Sequence, residues 1–199
     1  EAFIIGEKFI NKKSVALILG DNFFYGQGFT KKLGKNKTLT NGCKIFLYKV
    51  KNPQDYGTAE IKKNKISSIK EKPKKSKSSL AITGLYFFDK NVVKFSKKLK
   101  PSKRNELEIT DLLKIYKSKN KLSFDFMGRG SAWLDTGSPK NLLSTSEFIS
   151  TIEDRQGLKI GCIEEIAFNY KWINAKDVKQ RIKYYGKSEY SNYLSKIIS

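Results

Sequence analysis

Two aspartates that follow predicted strands are the residues here with the clearest capacity for chemistry. Asp21 follows the apolar run 15–19 after a single glycine, and the composition of this run is typical of a strand covered on both faces. Asp135 lies in the segment 133–137, at the junction with a predicted helix. Ligands of open α/β sheets gather beyond the carboxyl ends of strands, where two aspartates can hold a divalent cation against a substrate phosphate. Each also has an ordinary reading, Asp21 as a turn residue and Asp135 as a helix cap.

A Glu-Lys-Pro segment is the second candidate for chemistry. Lys72 is fixed ahead of Pro73 and can neutralise a phosphate, and Glu71 can accept hydrogen bonds from hydroxyl groups. In a chain with 40 lysines and arginines, a solvated loop is the simpler explanation of this segment when it is taken alone. Tyr56 and Gly57 offer a ring face and a close approach to the backbone, which is weak evidence when taken alone.

The charge of the chain raises the question of a polyanionic partner. The 199 residues carry a formal net charge of +21, but Arg supplies only four of the 40 basic residues. Because Arg provides the fork that reads base edges, this balance argues against a specific nucleic-acid reader. We interpret the charge as a compositional bias laid over a globular fold, with nonspecific polyanion binding as a secondary consequence. The absence of His excludes catalytic triads and zinc sites that depend on this residue.

Length and cysteine usage indicate a cytoplasmic protein. The chain can bury a sizeable core, and it contains no apolar run of the roughly 18 residues that a membrane span needs. It also lacks the pattern of a signal peptide. Cys43 and Cys162 match no metal-ligand spacing, so we expect two free thiols in a reducing compartment.

Apolar spacing predicts strands that alternate with helices, which indicates an α/β fold with a mixed sheet. The predicted strands are 15–19, 43–50, 56–61, Lys65–Lys70, Leu80–Phe88 and 122–127, and the predicted helices are 2–9, 29–37, 91–99, 107–119 and 138–152. A turn at Lys63 and Asn64 would join two of these strands into a hairpin. Asp89 is a candidate helix cap, and Gly84 marks a place where a ligand or another backbone comes close. The last 40 residues read as short helices that pack or form an oligomer surface.

The motifs GDNFFYG, DYG, EKP, ITGLYFFD, ELEITD and WLDTG, in this order, resemble the glucose-1-phosphate thymidylyltransferases, the nucleotidyltransferases that make dTDP-glucose. The resemblance continues through FISTIEDRQGLKI and EEIAFNYKWI, as in the long bacterial form of these enzymes. It implies a Rossmann-like nucleotidyltransferase fold, with a central mixed sheet flanked by helices. It also implies a division into a nucleotidyltransferase part, residues 1–153, and a helical C-terminal region, residues 154–199.

The resemblance further implies an Mg²⁺-dependent reaction in which dTTP and glucose 1-phosphate give dTDP-glucose and pyrophosphate. This is the first step of dTDP-L-rhamnose biosynthesis. The implied partners are these two small molecules and further copies of the chain in a homotetramer, with no specific nucleic acid and no membrane.

Roles for individual residues follow from the resemblance by position. Asp21 and Asp135 match the two Mg²⁺-binding aspartates. Lys72 matches the lysine that grips the phosphate of glucose 1-phosphate, and Arg104 falls at a basic position that helps to bind the same phosphate. The positions implied to contact the sugar are Tyr56, Gly57, Glu71, Ile82, Gly84 and Tyr86.

Two further positions match a second, regulatory nucleotide site of the long-form enzymes. These are Arg129 and Glu165, although Arg129 could equally be a structural ion-pair residue. The chain also departs from the family pattern. Asn105 stands where the family usually has Gly, and Lys70 stands where an acidic residue commonly precedes the Glu-Lys pair.

A family segment that binds the thymine nucleotide is not among these 199 residues. It consists of a GxGTRL loop followed by a PK motif, and the resemblance begins abruptly within a helix at Glu1. We therefore expect a chain that lacks the N-terminal third of the enzyme and is inactive alone. Since base choice lies mostly in that segment, a related sugar-phosphate uridylyltransferase or cytidylyltransferase stays open. A basic polyanion-binding module is the alternative of another class.

Overall fold

The nine-residue strand Leu80–Phe88 is the centre of the main sheet. The computed structural model describes residues 1–37 and 39–199, in which two units form: the first is Glu1–Gly137 and the second is Ser138–Ser199. The predicted division between residues 153 and 154 falls inside a continuous helix of the second unit, Pro139–Gln156.

In chain order the strands are β1 (Val15–Ile18), β2 (Asn22–Tyr25), β3 (Cys43–Lys49), β4 (Thr58–Lys62), β5 (Lys65–Lys70), β6 (Leu80–Phe88), β7 (Leu122–Phe126) and β8 (Ala132–Asp135). The helices are α1 (Ala2–Ile5), α2 (Glu7–Ile10), α3 (Phe29–Asn36), α4 (Val92–Ser96), α5 (Ile109–Ser118), α6 (Pro139–Gln156), α7 (Ile163–Asn169), α8 (Ala175–Tyr185) and α9 (Glu189–Ile197). A short 3-10 turn occupies Pro53–Asp55.

The main sheet is mixed, as the sequence predicts. Its strand order is β5-β4-β6-β3-β7, and β1 pairs with β6 beside this path. The pairing of β3 with β7 is parallel, and the other pairings of the sheet are antiparallel. Strands β2 and β8 form a separate antiparallel ribbon.

Both faces of the main sheet are covered by apolar side chains. Because side chains alternate along a strand, Tyr86 and Phe88 enter one core cluster while Leu85 and Phe87 enter the other. The first cluster also contains three fully or almost fully buried side chains of α5, which are Leu112, Leu113 and Tyr116. This two-sided burial explains why β6 reads as a continuous apolar run.

The hairpin predicted at Lys63 and Asn64 is present. These two residues have φ of 47° and 57°, in the left-handed region that tight hairpin turns use, and β4 pairs with β5 on either side of them. The helix predicted over residues 2–9 is instead two short helices, α1 and α2, which meet at Gly6.

The predicted burial of the first strand is wrong. Ile18 is 56% exposed and Leu19 is 39% exposed. Among the described strands β1 pairs only with β6, and its alternate side chains face solvent. Beyond Asp21 the chain does not continue as a loop, since Asn22 begins strand β2. Asp21 therefore lies between two strands rather than at the end of a buried one.

The prediction that Asp89 caps the following helix is wrong, because the N-cap of α4 is Asn91, but the Asp89 side chain has another structural role. Its carboxylate accepts hydrogen bonds from the N–H groups of Asn91 (2.9 Å) and Gly42 (2.8 Å) and from the hydroxyl of Tyr116 (2.9 Å). Burial raises the pKa of Asp89, but these hydrogen bonds outweigh it and hold the pKa below its usual value. The residue ties together the turn before β3, the start of α4 and helix α5.

The second unit consists of helices, as predicted for the C-terminal region. Its core contains Cys162, Val178, Tyr193 and Leu194. The buried Glu164 accepts hydrogen bonds from the Tyr185 and Tyr190 hydroxyls, among other contacts of this small core. Over residues 1–37 and 39–199, no helix combines the length and apolar character needed to cross a membrane.

Candidate active site

A cavity opens where two strands part along one edge of β6. Strand β4 meets the start of β6 and pairs with it at Ala81, and Ile82 N–H donates to the Gly57 carbonyl at 2.8 Å. Strand β1 pairs with the last part of β6, and Leu19 N–H donates to the Gly84 carbonyl at 2.9 Å. Between these two contacts lies a cavity of about 200 Å³.

This cavity gathers residues from six separate stretches of the first unit. Nine of the residues singled out in the sequence line it: Asp21, Tyr56, Gly57, Glu71, Lys72, Ile82, Gly84, Tyr86 and Asp135. The other lining residues are Leu19, Asn22, Asp55, Ile109, Thr110 and Trp133. Their proposed roles stay predictions, but the fold does place these distant residues around one space.

The two aspartates converge on Gly137. Strand β2 pairs with β8 so that Asn22 lies opposite Asp135. A Cβ atom at Gly137 would lie 3.0 Å from Asp135 Oδ1 and 3.4 Å from Asp21 Oδ2. The absence of a side chain at Gly137 therefore leaves open a point that both carboxylates approach.

This arrangement fits a divalent cation that takes its remaining ligands from a substrate. In the described part of the chain, no group of three or more His, Cys, Asp or Glu side chains is arranged to hold a metal. Two carboxylates with substrate phosphates are a common donor set for such cations. The alternative role of Asp135 as a helix cap is wrong, since the N-cap of α6 is Ser138, whose hydroxyl accepts the Asn141 N–H at 3.2 Å.

The lining of the cavity also presents an aromatic ring and a bare stretch of backbone. The Tyr56 ring packs on Trp133 with 5.0 Å between ring centroids. A Cβ atom at Gly57 would lie 2.9 Å from Thr110 Cγ2 and 3.3 Å from Glu71 Oε2, so this position accepts a larger residue only if its neighbours move. Partial burial, with a smaller contribution from nearby carboxylates, raises the pKa of Tyr56, which keeps its hydroxyl protonated.

Glu71 and Lys72 follow β5 directly. Burial is the largest cause of a raised pKa at Glu71, and Glu108 adds to it, whereas Lys72 and Arg104 act in the opposite direction. Lys72 has a φ of 33°, a conformation that is costly for a residue with a side chain. Backbone strain of this kind is often found at functional sites, and here it occurs at a residue that lines the cavity.

Arg104 lies outside this cavity. It lines a neighbouring cavity of about 510 Å³ that shares Glu71 and Lys72 with the first. Its guanidinium is 3.0 Å from a carboxylate oxygen of Glu106, 3.7 Å from one of Glu71 and 3.8 Å from one of Glu108. Arg104 therefore shares a cavity with the predicted phosphate lysine and contacts Glu71, the residue that precedes this lysine.

The residue after Arg104 explains one departure from the family pattern. Asn105 has a φ of 59°, in the left-handed region where glycine is most favourable. Asn tolerates this region better than most side chains do. The replacement of the usual Gly by Asn is thus compatible with the same turn.

The close approach predicted at Gly84 exists, but a side chain makes it. A Cβ atom at Gly84 would lie 2.4 Å from Asn22 Oδ1. No role was predicted for Asn22, Thr110 or Trp133, although they belong to the motifs GDNFFYG, ELEITD and WLDTG. Their polar atoms beside the predicted site residues were the available signal.

The two predicted regulatory residues lie in different units. Arg129 is an exposed residue of the first unit and makes no salt bridge within the described residues. Glu165 belongs to the second unit and accepts a hydrogen bond from the Tyr193 hydroxyl at 2.6 Å. Neither residue lines the cavity beside β6, and their regulatory role stays a prediction.

Comparison with known proteins shows the family of the chain. Residues 1–152 match the family described as nucleotidyl transferase. A glucose-1-phosphate thymidylyltransferase of Neisseria gonorrhoeae is 47% identical over 199 residues, which is all of this chain and 69% of that protein. The chain belongs to the glucose-1-phosphate thymidylyltransferase family. A family member from Mycobacterium tuberculosis is 41% identical with the same coverage.

Solved structures give the same fold. A Bacillus anthracis protein described as a glucose-1-phosphate thymidylyltransferase, crystallised with sucrose, superposes with a TM-score of 0.63 at 36% identity. That match covers 74% of this chain and 58% of the other. A UDP-glucose pyrophosphorylase in complex with UDP-glucose also gives a TM-score of 0.63, but at 21% identity it supports the fold alone.

Proposed function

We propose that this chain forms the sugar-phosphate and cation site of an enzyme that makes dTDP-glucose and pyrophosphate from dTTP and glucose 1-phosphate. The observation that carries the proposal is the cavity beside β6. It is lined by both candidate cation ligands, by the residues at the sugar positions of the family and by Lys72, and a neighbouring cavity contains Arg104.

The chemistry is a single displacement with no covalent enzyme intermediate. A phosphate oxygen of glucose 1-phosphate attacks the α-phosphorus of dTTP in line, a new P–O bond forms, and the bond to the leaving pyrophosphate breaks. Tyr56, Gly57 and Glu71 hold the sugar, which fixes the direction of attack. Lys72 and Arg104 offset the charge of the attacking phosphate.

The two aspartates supply the metal site in this proposal. Asp21 and Asp135 would hold Mg²⁺, which when bound neutralises charge on the reacting phosphates. The support for this assignment is the approach of both carboxylates to the open point at Gly137. The two residues belong to different segments that the β2–β8 ribbon brings together, so the site depends on that pairing.

The choice of nucleotide is proposed from the relatives. The curated relatives named above are thymidylyltransferases at 41–47% identity. Their names favour dTTP over the uridylyl alternative. The homotetramer, the cytoplasmic location and the place in dTDP-L-rhamnose synthesis are proposed on the same family resemblance.

The test is calorimetric binding of glucose 1-phosphate, with Mg²⁺ present, to the 199-residue chain. We compare the parent with Lys72→Ala and with Lys74→Ala, a matched control because Lys74 is an exposed lysine of the same loop outside the cavity. We expect Lys72→Ala to weaken binding by at least about tenfold and Lys74→Ala to change it by less than about twofold.

Two results would contradict the proposed function. The first is a parent chain that melts cooperatively and does not bind glucose 1-phosphate. The second is binding to random-sequence DNA that disappears at moderate salt, without any dependence on sugar phosphate or Mg²⁺, because this is the behaviour of a polyanion-binding module.

A further inference from the structure

We propose that Asn22 is a positioning residue that holds the carboxylate of Asp21 in a fixed orientation against β6. The role of Asp21 rests on the proposed function, whereas the contacts of Asn22 are independent of it. Asn22 follows Asp21 in the chain and lies opposite Asp135 in the β2–β8 ribbon. It is thus placed between the two candidate cation ligands.

The side-chain oxygen of Asn22 accepts a hydrogen bond from β6 that the backbone of a neighbouring strand would otherwise accept. Gly84 lies on β6 between the contacts with β4 and β1, and its N–H donates to Asn22 Oδ1 at 3.0 Å. The same oxygen accepts the indole N–H of Trp133 at 2.6 Å. One amide oxygen therefore links β6 to β8.

These two donors determine which end of the amide is the oxygen. An amide nitrogen at that position would face two N–H groups and could accept from neither. The nitrogen must therefore point away, and Asn22 Nδ2 donates to Asp21 Oδ1 at 2.8 Å. The hydrogen bonds from Gly84 and Trp133 therefore fix the orientation of the Asn22 amide, and the amide in turn fixes the Asp21 carboxylate.

As a consequence, the two carboxylate oxygens of Asp21 make different contacts. Oδ1 is engaged by Asn22, and Oδ2 is the oxygen that approaches Gly137, where Asp135 also approaches. This position of the Asn22 amide requires a glycine at residue 84, because a Cβ atom there would lie 2.4 Å from Asn22 Oδ1 and 2.5 Å from Asn22 Cγ. Any larger residue at position 84 displaces the amide.

The experiment uses Mn²⁺ alone as the probe on the 199-residue chain. The reporter is the indole ¹⁵N–¹H signal of Trp133, and it is assigned with Trp172→Phe because the chain contains two tryptophans. Paramagnetic broadening of this signal is titrated in the parent, Asn22→Ala, Asp21→Asn and the double variant.

We expect Asn22→Ala to raise the Mn²⁺ concentration at half-broadening by at least about fivefold. In the Asp21→Asn chain the same change is expected to add less than about twofold, because Asn22 acts through the Asp21 carboxylate. If Asn22 had a purely structural role, Asn22→Ala would weaken Mn²⁺ binding by a similar factor in the parent and in the Asp21→Asn chain.

Gly84→Ala is the second test variant, and Asn91→Ala is the control. The nearest atoms that the new methyl group meets are the movable end of the Asn22 side chain, so we expect a folded chain with a displaced amide and the same fivefold rise. Asn91→Ala removes an amide that donates to the Asp89 carboxylate away from the cavity, and its midpoint should stay within about twofold of the parent.

Three outcomes overturn the proposal: no Mn²⁺ broadening of Trp133 in the parent, an unchanged midpoint in Gly84→Ala, or equal losses from Asn22→Ala with and without the Asp21 carboxylate. If Asn22→Ala does not melt cooperatively, the Mn²⁺ midpoint of Gly84→Ala decides whether the proposal stands. Glucose 1-phosphate binding is measured separately, so its absence contradicts the proposed function while the Mn²⁺ titration still decides the role of Asn22.

Discussion

Thr136 donates two hydrogen bonds to the backbone carbonyl of Asp21, one from its N–H at 2.7 Å and one from its hydroxyl at 2.9 Å. The residue after one candidate cation ligand is thereby bonded directly to the other ligand. The two segments that carry the carboxylates are held together by this backbone hydrogen bond as well as by the pairing of β2 with β8.

Thr136→Val should weaken this link without breaking it. The variant loses the hydroxyl bond but keeps the N–H bond, so we expect a loss of about 1 kcal/mol in the free energy of unfolding of the first unit. This corresponds to a melting temperature lower by roughly 2–4 °C. Thr136→Ser, which retains the hydroxyl, is the control, and equal melting temperatures for Val and Ser would contradict the importance of this bond.

Asp135→Asn should remove most of the activity of the intact enzyme. A neutral amide at this position leaves the cation with one carboxylate, so turnover to dTDP-glucose should fall at least about a hundredfold. A chelator added to the parent should have the same effect, and Mg²⁺ should reverse it. Asp125→Asn, which removes a carboxylate that pairs with Lys44 at 3.4 Å, is the control. Near-normal turnover of Asp135→Asn would rule out the metal assignment.

Substitution of Lys72 should separate stability from binding. Glycine adopts the φ of 33° at this position without the cost that a side chain brings, so Lys72→Gly should be more stable than Lys72→Ala by about 1 kcal/mol. Both variants lose the ammonium group and should bind glucose 1-phosphate at least about tenfold more weakly. Thermal melts and calorimetry on the same preparations check this. Tight binding by the Gly variant would show that the ammonium group is not required.

Glu71→Gln should stabilise the chain near neutral pH. Burial is the main cause of the raised pKa of Glu71, so folding disfavours its ionised form, and the stability that protonation provides is lost as the pH rises through the folded-state pKa. A neutral glutamine avoids this loss. We expect Glu71→Gln to melt above the parent at pH 7, and the difference should shrink as the pH falls towards 4.5, the ordinary value.

The same variant tests the proposed sugar contact. An amide can still bond to hydroxyl groups but presents one acceptor oxygen in place of a carboxylate, so glucose 1-phosphate should bind more weakly although the fold is more stable. A parent that melts above Glu71→Gln at pH 7 would show that the contact between Glu71 and Arg104, 3.7 Å long, outweighs the cost of burial.

Much of the framework follows from local sequence. Strand β6 has the predicted bounds, Leu80–Phe88, and the β4–β5 hairpin turns at the predicted Lys63 and Asn64. Both are encoded within a few residues, by a continuous apolar run in one case and by turn chemistry in the other. The motifs that carry the family resemblance are likewise short and read directly from the chain.

Pairings between distant segments could not be read in this way. The sequence showed a glycine in β6 but not that Asn22 occupies the space beside it, and it did not show that Arg104 forms an ion pair with Glu71. The exposed side of β1 was missed for the same reason, since burial of a strand depends on which elements cover it.

The sequence by itself determined the family, the mixed α/β fold and the residue types available for binding a sugar phosphate and a cation. The tertiary structure alone decided which of these residues share one cavity and how Asp21 and Asp135 come together through Asn22, Thr136 and Gly137. The physical reason is the different range, along the chain, of the interactions involved. Propensities and turn signals act over a few residues, whereas a site depends on hydrogen bonds and close contacts between segments more than a hundred residues apart, as in the bond from Trp133 to Asn22.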